Sequence, residues 1–241
     1  MKTAILVTIT AMALVGISCQ TSNKSNKNNM TVGPEPGFTQ IFDGKTFDGW
    51  ECDTSFWSIS NGVVKGLETS QHQLKQNSFL IYARSQPADF ELKADYRISE
   101  GGNSGIQYRS EKVAGIPYAL KGYQADIDGA NKYTGQNYEE RGRGFLAMRG
   151  QVASLPIDGK PIITGSVGNS DSLKALIKKN DWNEIHLVVK GFTMKHYING
   201  VLMSEAIDND TVNRKSSGII GFQLHVAPAM TIEFRNIRLK Q

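Results

Sequence analysis

The sequence predicts an all-β chain folded as a two-sheet antiparallel β-sandwich. Three observations carry this: period-two alternation of apolar and polar residues dominates from residue 38 onward, the alternating runs are short and separated by Gly- and Asn-rich turns, and helical periodicity is scarce. Phe56 to Ile59, then Asn61-Gly62, then Val63-Val64 reads as strand, tight turn, strand. In 89–98, Phe90, Leu92, Ala94, Tyr96 and Ile98 alternate with Asp89, Glu91, Lys93, Asp95 and Arg97, so one face of this strand is buried. The runs 105–109 and 123–128 repeat the pattern, as do 185–189 and 194–198, the latter followed by the turn Asn199-Gly200. Two closing strands are expected over 218–226 and 231–239. The one helical signal is DSLKALIKK (171–179), with Asp171 or Ser172 as its cap. The stretch 129–170 is Gly-rich and reads as a long irregular loop, a class of segment usually kept for function when a domain is ordered.

The N-terminus sets an expected compartment. Lys2 precedes an almost wholly apolar run, 4–15, which is too short to span a bilayer and exits through Gly16-Ile17-Ser18-Cys19. Residues 1–18 therefore read as a signal peptide and Cys19 as a lipidation site. The segment QTSNKSNKNN (20–29) contains no apolar residue, so 19–36 reads as a flexible tether. The expected location is the cell envelope, lipid-anchored, with the periplasm-facing side favoured over the cell surface because no acidic residue follows Cys19. That lipid is the expected membrane contact.

Charge excludes one class of partner. The chain carries 27 Lys+Arg against 23 Asp+Glu, but Lys2, Lys24 and Lys27 all lie in the leader and tether, so residues 37–241 are near neutral. No basic stripe is left to recruit nucleic acid. Cys52 is the single other cysteine, so with Cys19 lipidated no disulfide forms and stability must come from the core.

The pieces GFTQIFDGKTFDGW (37–50), FWSISNGVVKG (56–66), DFELKADYRISEGGNSGIQYR (89–109), GYQADI (122–127), YEERGRGFLA (138–147), DWNEIHLVVKG (181–191), YINGV (197–201), GIIGFQLH (218–225) and IEFRNIRLK (232–240) occur in one order. Together they resemble the bacterial 3-keto-disaccharide (3-keto-glycoside) hydrolase family over almost all of 37–241. The resemblance implies a concanavalin A-like jelly roll acting on an oligosaccharide or glycoside. It also implies a chemistry: C2 proton abstraction next to a C3 ketone, elimination at C1, and rehydration. Val226-Ala227-Pro228 stands after His225 where the family more typically has glycines.

Strand parity then selects candidate site residues. Gln107 and Arg109, Gln124, Asp126 and Asp128, and Gln223 and His225 each form the polar row of a predicted strand. Any one such row is also what a solvated sheet face presents; the coincidence of three rows with the family's motifs favours a shared groove. His225, Asp126 and Glu140 are the candidate proton acceptors or donors. Asn103, Gln107, Arg109, Gln124, Arg141, Arg143 and Gln223 are the candidate substrate contacts, the arginines also for a developing oxyanion. Asp126, Asp128, Glu140 and His225 are candidate ligands for a divalent metal, with no motif to fix its identity. His186 and His196 read as structural and His72 as exposed, and burial is the default for Trp50, Trp57 and Trp182. No HExxH, GxSxG or EF-hand pattern occurs. Two rival readings stay open: a non-catalytic glycan-binding envelope lipoprotein, and a conventional glycoside hydrolase. Against the second, Gln124-Ala125-Asp126 has glutamine where an acid would begin an ExDxxE strand.

Overall fold

The computed structural model describes Met1, 35–157 and 159–241, so nearly all of the expected signal peptide, Cys19 and most of the expected tether lie outside the described residues. In chain order the strands are β1 (Thr39–Gln40), β2 (Trp50–Glu51), β3 (Trp57–Ser60), β4 (Val63–Glu68), β5 (Ser78–Tyr82), β6 (Phe90–Ile98), β7 (Asn103–Lys112), β8 (Leu120–Asp128) and β9 (Asn137–Glu140). They continue with β10 (Gly144–Ala147), β11 (Gln151–Leu155), β12 (Ile162–Ser166), β13 (Asn183–Lys190), β14 (Thr193–Ile198), β15 (Val201–Asp208), β16 (Ile219–Leu224) and β17 (Met230–Lys240). A five-residue helix, α1 (Ser170–Lys174), precedes β13.

These strands make the two sheets of a jelly-roll sandwich. One sheet runs β12-β11-β15-β14-β13-β6-β17-β4-β3, with β1 added on β17; the other runs β10-β9-β8-β7-β16-β5-β2. The ladders are antiparallel apart from β11 on β15, which is parallel and departs from the purely antiparallel expectation. The core lies between the sheets. Alternation supplies it: in β6 every second residue is buried, and from the opposing sheet Ile106, Tyr108, Tyr123, Ala125, Phe222 and Leu224 point inward. Trp50 and Trp57 are buried here, with the Trp50 indole N–H donating to the Ile41 carbonyl at 3.0 Å. Asn61-Gly62 and Asn199-Gly200 both have positive φ, as a two-residue hairpin turn requires.

Two further expectations need correction. The region 129–170 is not irregular, because it holds β9, β10, β11 and β12, strands of only four or five residues whose alternation is too brief to read. The cap of α1 is Asn169 rather than Asp171 or Ser172; its side-chain oxygen accepts from the N–H groups of both, at 2.9 and 3.1 Å. Strand β5 (SFLIY) shows no period-two alternation, because all five of its residues are buried. Leu80 and Tyr82 face the main core while Phe79 and Ile81 join Leu120 in a small second cluster, so both faces of this strand are apolar.

Candidate functional site

The site is built on the face of β7, β8 and β16 that points away from the core. Gln124 and Asp126 alternate with the core residues Tyr123, Ala125 and Ile127, and Gln107 and Gln223 do the same in their strands. Registry brings these rows together, since Gln107 pairs with Gln124 across the ladder and Gly105 with Asp126. The rim is completed by β9 and β10. On β9 the adjacent acids part company: Glu140 joins the pocket, whereas Glu139 points into the domain. The result is a pocket of about 210 Å³ lined by Asn77, Asn103, Gln124, Asp126, Glu140, Gln223 and His225, with Tyr133, Tyr138 and Phe145 as an aromatic wall. Phe145 is 48% exposed and stands 5.2 Å from the Tyr138 ring and 6.1 Å from the Tyr133 ring, centroid to centroid.

A dense amide network forms the floor. The Gln107 side-chain nitrogen donates to Gln124 Oε1 (3.2 Å) and Glu140 Oε2 (2.9 Å). The Gln223 nitrogen donates to the same two atoms, at 3.2 and 2.5 Å. Asn77 donates to the other Glu140 oxygen at 2.9 Å. Gln124 and Gln136 donate to the two oxygens of Asp126, at 2.8 and 2.7 Å. Asp126 is 8% exposed. Burial pushes its carboxyl up to about 7, with Asp128 and Glu140 adding to the rise and the two amide hydrogen bonds opposing it. Asp126 therefore exchanges a proton near neutral pH. Among the described residues, the side-chain oxygens of Gln107 and Gln223 are buried with no hydrogen-bond partner.

Of the residues expected at the site, Asn103, Gln124, Asp126, Glu140, Gln223 and His225 line this pocket, and Gln107 lies beneath it. The three arginines do not. Arg109 falls at a bulge between Tyr108 and Glu111 and has φ 47°, so the parity used to place it fails at that residue. Its guanidinium is buried, donating to the carbonyls of Ala88 (2.7 and 3.0 Å) and Lys215 (3.2 Å). Glycines make the bulge feasible: a Cβ on Gly218 would sit 2.6 Å from the Arg109 carbonyl carbon, and one on Gly122 2.4 Å from Ser110 Oγ. Arg143 turns inward to Glu139 (2.6 Å), Asp208 (2.6 and 3.0 Å) and Asp210 (3.4 Å). Burial works against its charge, but the hydrogen bonds to Asp208 and Glu139 outweigh this and raise its pKa. Arg141 is exposed on a positive-φ turn beside a separate 300 Å³ cleft that shares Glu140.

Of the other histidines, His186 and His196 are structural and His72 is exposed. His196 is fully buried between the Tyr108 hydroxyl (2.9 Å) and the Gln136 carbonyl (3.1 Å), and burial depresses its pKa to about 3. His186 bonds Glu91, and His72 stacks on Phe56. Trp182 lies under Arg97 and Arg235, in contact with the opposite sheet.

Sequence reasoning missed Asn77, Tyr133, Gln136 and Phe145, and gave Tyr138 no role. Tyr133 is set by a turn in which Asp128 accepts the backbone N–H groups of Lys132, Tyr133 and Thr134, at 2.9, 2.8 and 2.8 Å. Asp128 is thus committed to the turn rather than open as a metal ligand. Both Asp126 oxygens and both Glu140 oxygens likewise accept amide hydrogens, and among the described residues no three His, Cys, Asp or Glu side chains gather as a donor set. These side chains do not fit a divalent metal site as arranged.

Fold and pocket together define the class, a jelly-roll protein with a polar, aromatic-walled pocket on one sheet. A Parabacteroides distasonis structure described as a candidate glycosyl hydrolase superposes with a TM-score of 0.57 at 16% identity, covering 85% of this chain and 98% of its own. A carbohydrate-binding module (CBM66) from Bacillus subtilis superposes with a TM-score of 0.52 at 18% identity, covering 80% and 96%. At these identities the two likenesses speak to fold alone. The chain belongs to the 3-keto-alpha-glucoside-1,2-lyase-like domain family, whose model matches residues 37–240. It is also 28% identical over 236 aligned residues to a 3-keto-disaccharide hydrolase of Bacteroides thetaiotaomicron, covering 85% of this chain and 78% of that protein.

Proposed function

We propose that this protein cleaves 3-keto-glycosides by elimination and rehydration in the pocket above Gln124, with Asp126 as the base. The observation that carries this reading is a buried carboxyl, with a proton affinity near neutrality, in a polar pocket walled by aromatic rings. Asp126 takes the C2 proton, which the neighbouring C3 ketone acidifies, and an enolate forms. The enolate expels the C1 substituent with the electrons of the C1–O bond, and that oxygen takes up a proton. His225, on the same pocket rim, is the group assigned to deliver it. Water then adds across the C1–C2 double bond, OH to C1 and H to C2, restoring a 3-keto sugar. No pair of carboxylates at a fixed spacing is needed.

Incubation with a 3-keto disaccharide and with its unoxidised parent in heavy water tests the scheme. Cleavage of the keto form alone, with deuterium entering at C2, is expected. Cleavage of the parent would replace the scheme with ordinary glycoside hydrolysis, and binding without cleavage of either would make the protein a glycan-capture module. The same assay addresses the aromatic wall. Stacking of a sugar on Phe145 is worth about 0.5–1.5 kcal/mol, so Phe145→Ala is expected to raise KM roughly 2- to 10-fold with kcat little changed. Phe145→Trp should restore it. An unaltered KM in Phe145→Ala would remove the ring from substrate binding.

A further inference from the structure

We infer that Gln107 and Gln223 are positioning residues that fix the direction of the Gln124 amide, so that its N–H rather than its carbonyl meets Asp126. Two amide nitrogens bridge the same two acceptors: Gln107 Nε2 and Gln223 Nε2 each donate to Gln124 Oε1 and to Glu140 Oε2. Each nitrogen has two hydrogens, and both are committed. Gln124 Oε1 thus receives two N–H groups. Exchanging it with its own nitrogen would set N–H against N–H twice. The nitrogen of Gln124 is left one place to point, which is Asp126 Oδ1 at 2.8 Å.

The direction is anchored at the far end as well. The backbone N–H of Val226 donates to Asn77 Oδ1 at 3.1 Å, which turns the Asn77 nitrogen toward Glu140 Oε1. Glu140, accepting at both oxygens, then leaves Gln107 and Gln223 to present their nitrogens. Polarity therefore runs from a backbone N–H that cannot invert, through Asn77, Glu140 and the two glutamines, to Gln124 and Asp126. Freely rotating amides would pair their carbonyls; here Gln107 Oε1 and Gln223 Oε1 are buried with no partner among the described residues, while the nitrogens hold the square. In this arrangement Glu140 is an anchor for the network rather than a proton donor or acceptor.

The other groups around Asp126 are Asp128 on its own strand, Glu140 and Tyr138 from β9, Gln136 as the second donor, and His225 and Tyr133 around the pocket. The inference rests on Asp126 being the proton-handling group of the proposed reaction, but its test needs no substrate. The full chain carrying 13C-labelled aspartate carboxyls would be titrated by NMR, with Asp126→Asn assigning the signal. In Gln107→Leu/Gln223→Leu the Gln124 amide is released to turn its carbonyl toward Asp126, which favours the protonated acid. The Asp126 midpoint should rise by about one pH unit. Gln124→Leu should raise it too, and adding the other two substitutions to Gln124→Leu should then shift it no further. A double variant with an unmoved or lowered midpoint would overturn the inference. So would an equal shift in the Gln124→Leu background, because the glutamines would then act on Asp126 without passing through Gln124. If the double variant does not fold, Gln223→Leu alone carries the test, with a smaller rise expected and an unmoved or lowered midpoint counting against the inference. Failure of the cleavage assay with this titration intact would remove the reaction and leave the positioning.

Discussion

Asp126→Asn is expected to lower turnover of a 3-keto glycoside by about 10²- to 10⁴-fold, the range that a positioned base contributes. It should also change how stability depends on pH. An unfolded aspartate ionises near 3.8, whereas burial holds Asp126 protonated up to about 7. The folded state thus binds a proton that the unfolded chain has already lost, so this residue favours folding at low pH. That advantage declines as pH rises from about 4 to about 7, and above 7 a buried charge opposes folding. The full difference is on the order of 2–4 kcal/mol. Asparagine cannot ionise, so the variant should lack this decline; relative to the unsubstituted protein it should gain stability between pH 5 and pH 8. Urea unfolding at the two pH values, beside the activity assay, checks both. Unchanged turnover would take the base role from Asp126, and parallel pH profiles would mean that its carboxyl ionises as an ordinary aspartate does.

Arg143→Ala is expected to destabilise the domain by about 3–5 kcal/mol, because three acids would lose the cation they share. Asp208, Asp210 and Glu139 are all buried. The Tyr123 hydroxyl also donates to Asp208 at 2.6 Å, which ties the network to the core face of the pocket strand. In a domain of this size the loss corresponds to a fall in Tm of roughly 10 °C. Arg143→Lys should recover part of it, since an ammonium cannot match the two-point contact with Asp208. A loss below about 1 kcal/mol in thermal or urea unfolding would show that the acids find other partners. A selective loss of catalysis with stability intact would return Arg143 to the role first expected of it, a contact for substrate.

The contrast between these two residues shows what strand alternation can convey. Asp126, Gln124, Gln107 and Gln223 sit in long strands whose apolar positions fix parity, so their common face was legible in the sequence. Arg109 had the same parity on paper, but the chain takes an extra residue there and the side chain leaves the face. The only trace of this in the sequence is the presence of Gly122 and Gly218, which become informative once their proximity to 109–110 is known. Arg143 lies beyond β9 on a turn, where alternation conveys nothing. The aromatic wall was hidden for a related reason: Tyr133, Tyr138 and Phe145 come from short strands and a turn inside a stretch that read as irregular. The family resemblance supplied the fold, but not which side chains of its motifs meet.

The place of β17 has a consequence for the order of assembly. This eleven-residue strand lies between β4 and β6 and also receives β1, so the last described segment of the chain occupies an interior position of the larger sheet. Until β17 docks, β4 and β6 each lack a neighbour, and the apolar side chains Ile232, Phe234, Ile237 and Leu239 are missing from the core. Closure of the sandwich therefore requires β17, through contacts between residues far apart along the chain, which is the slow kind of folding.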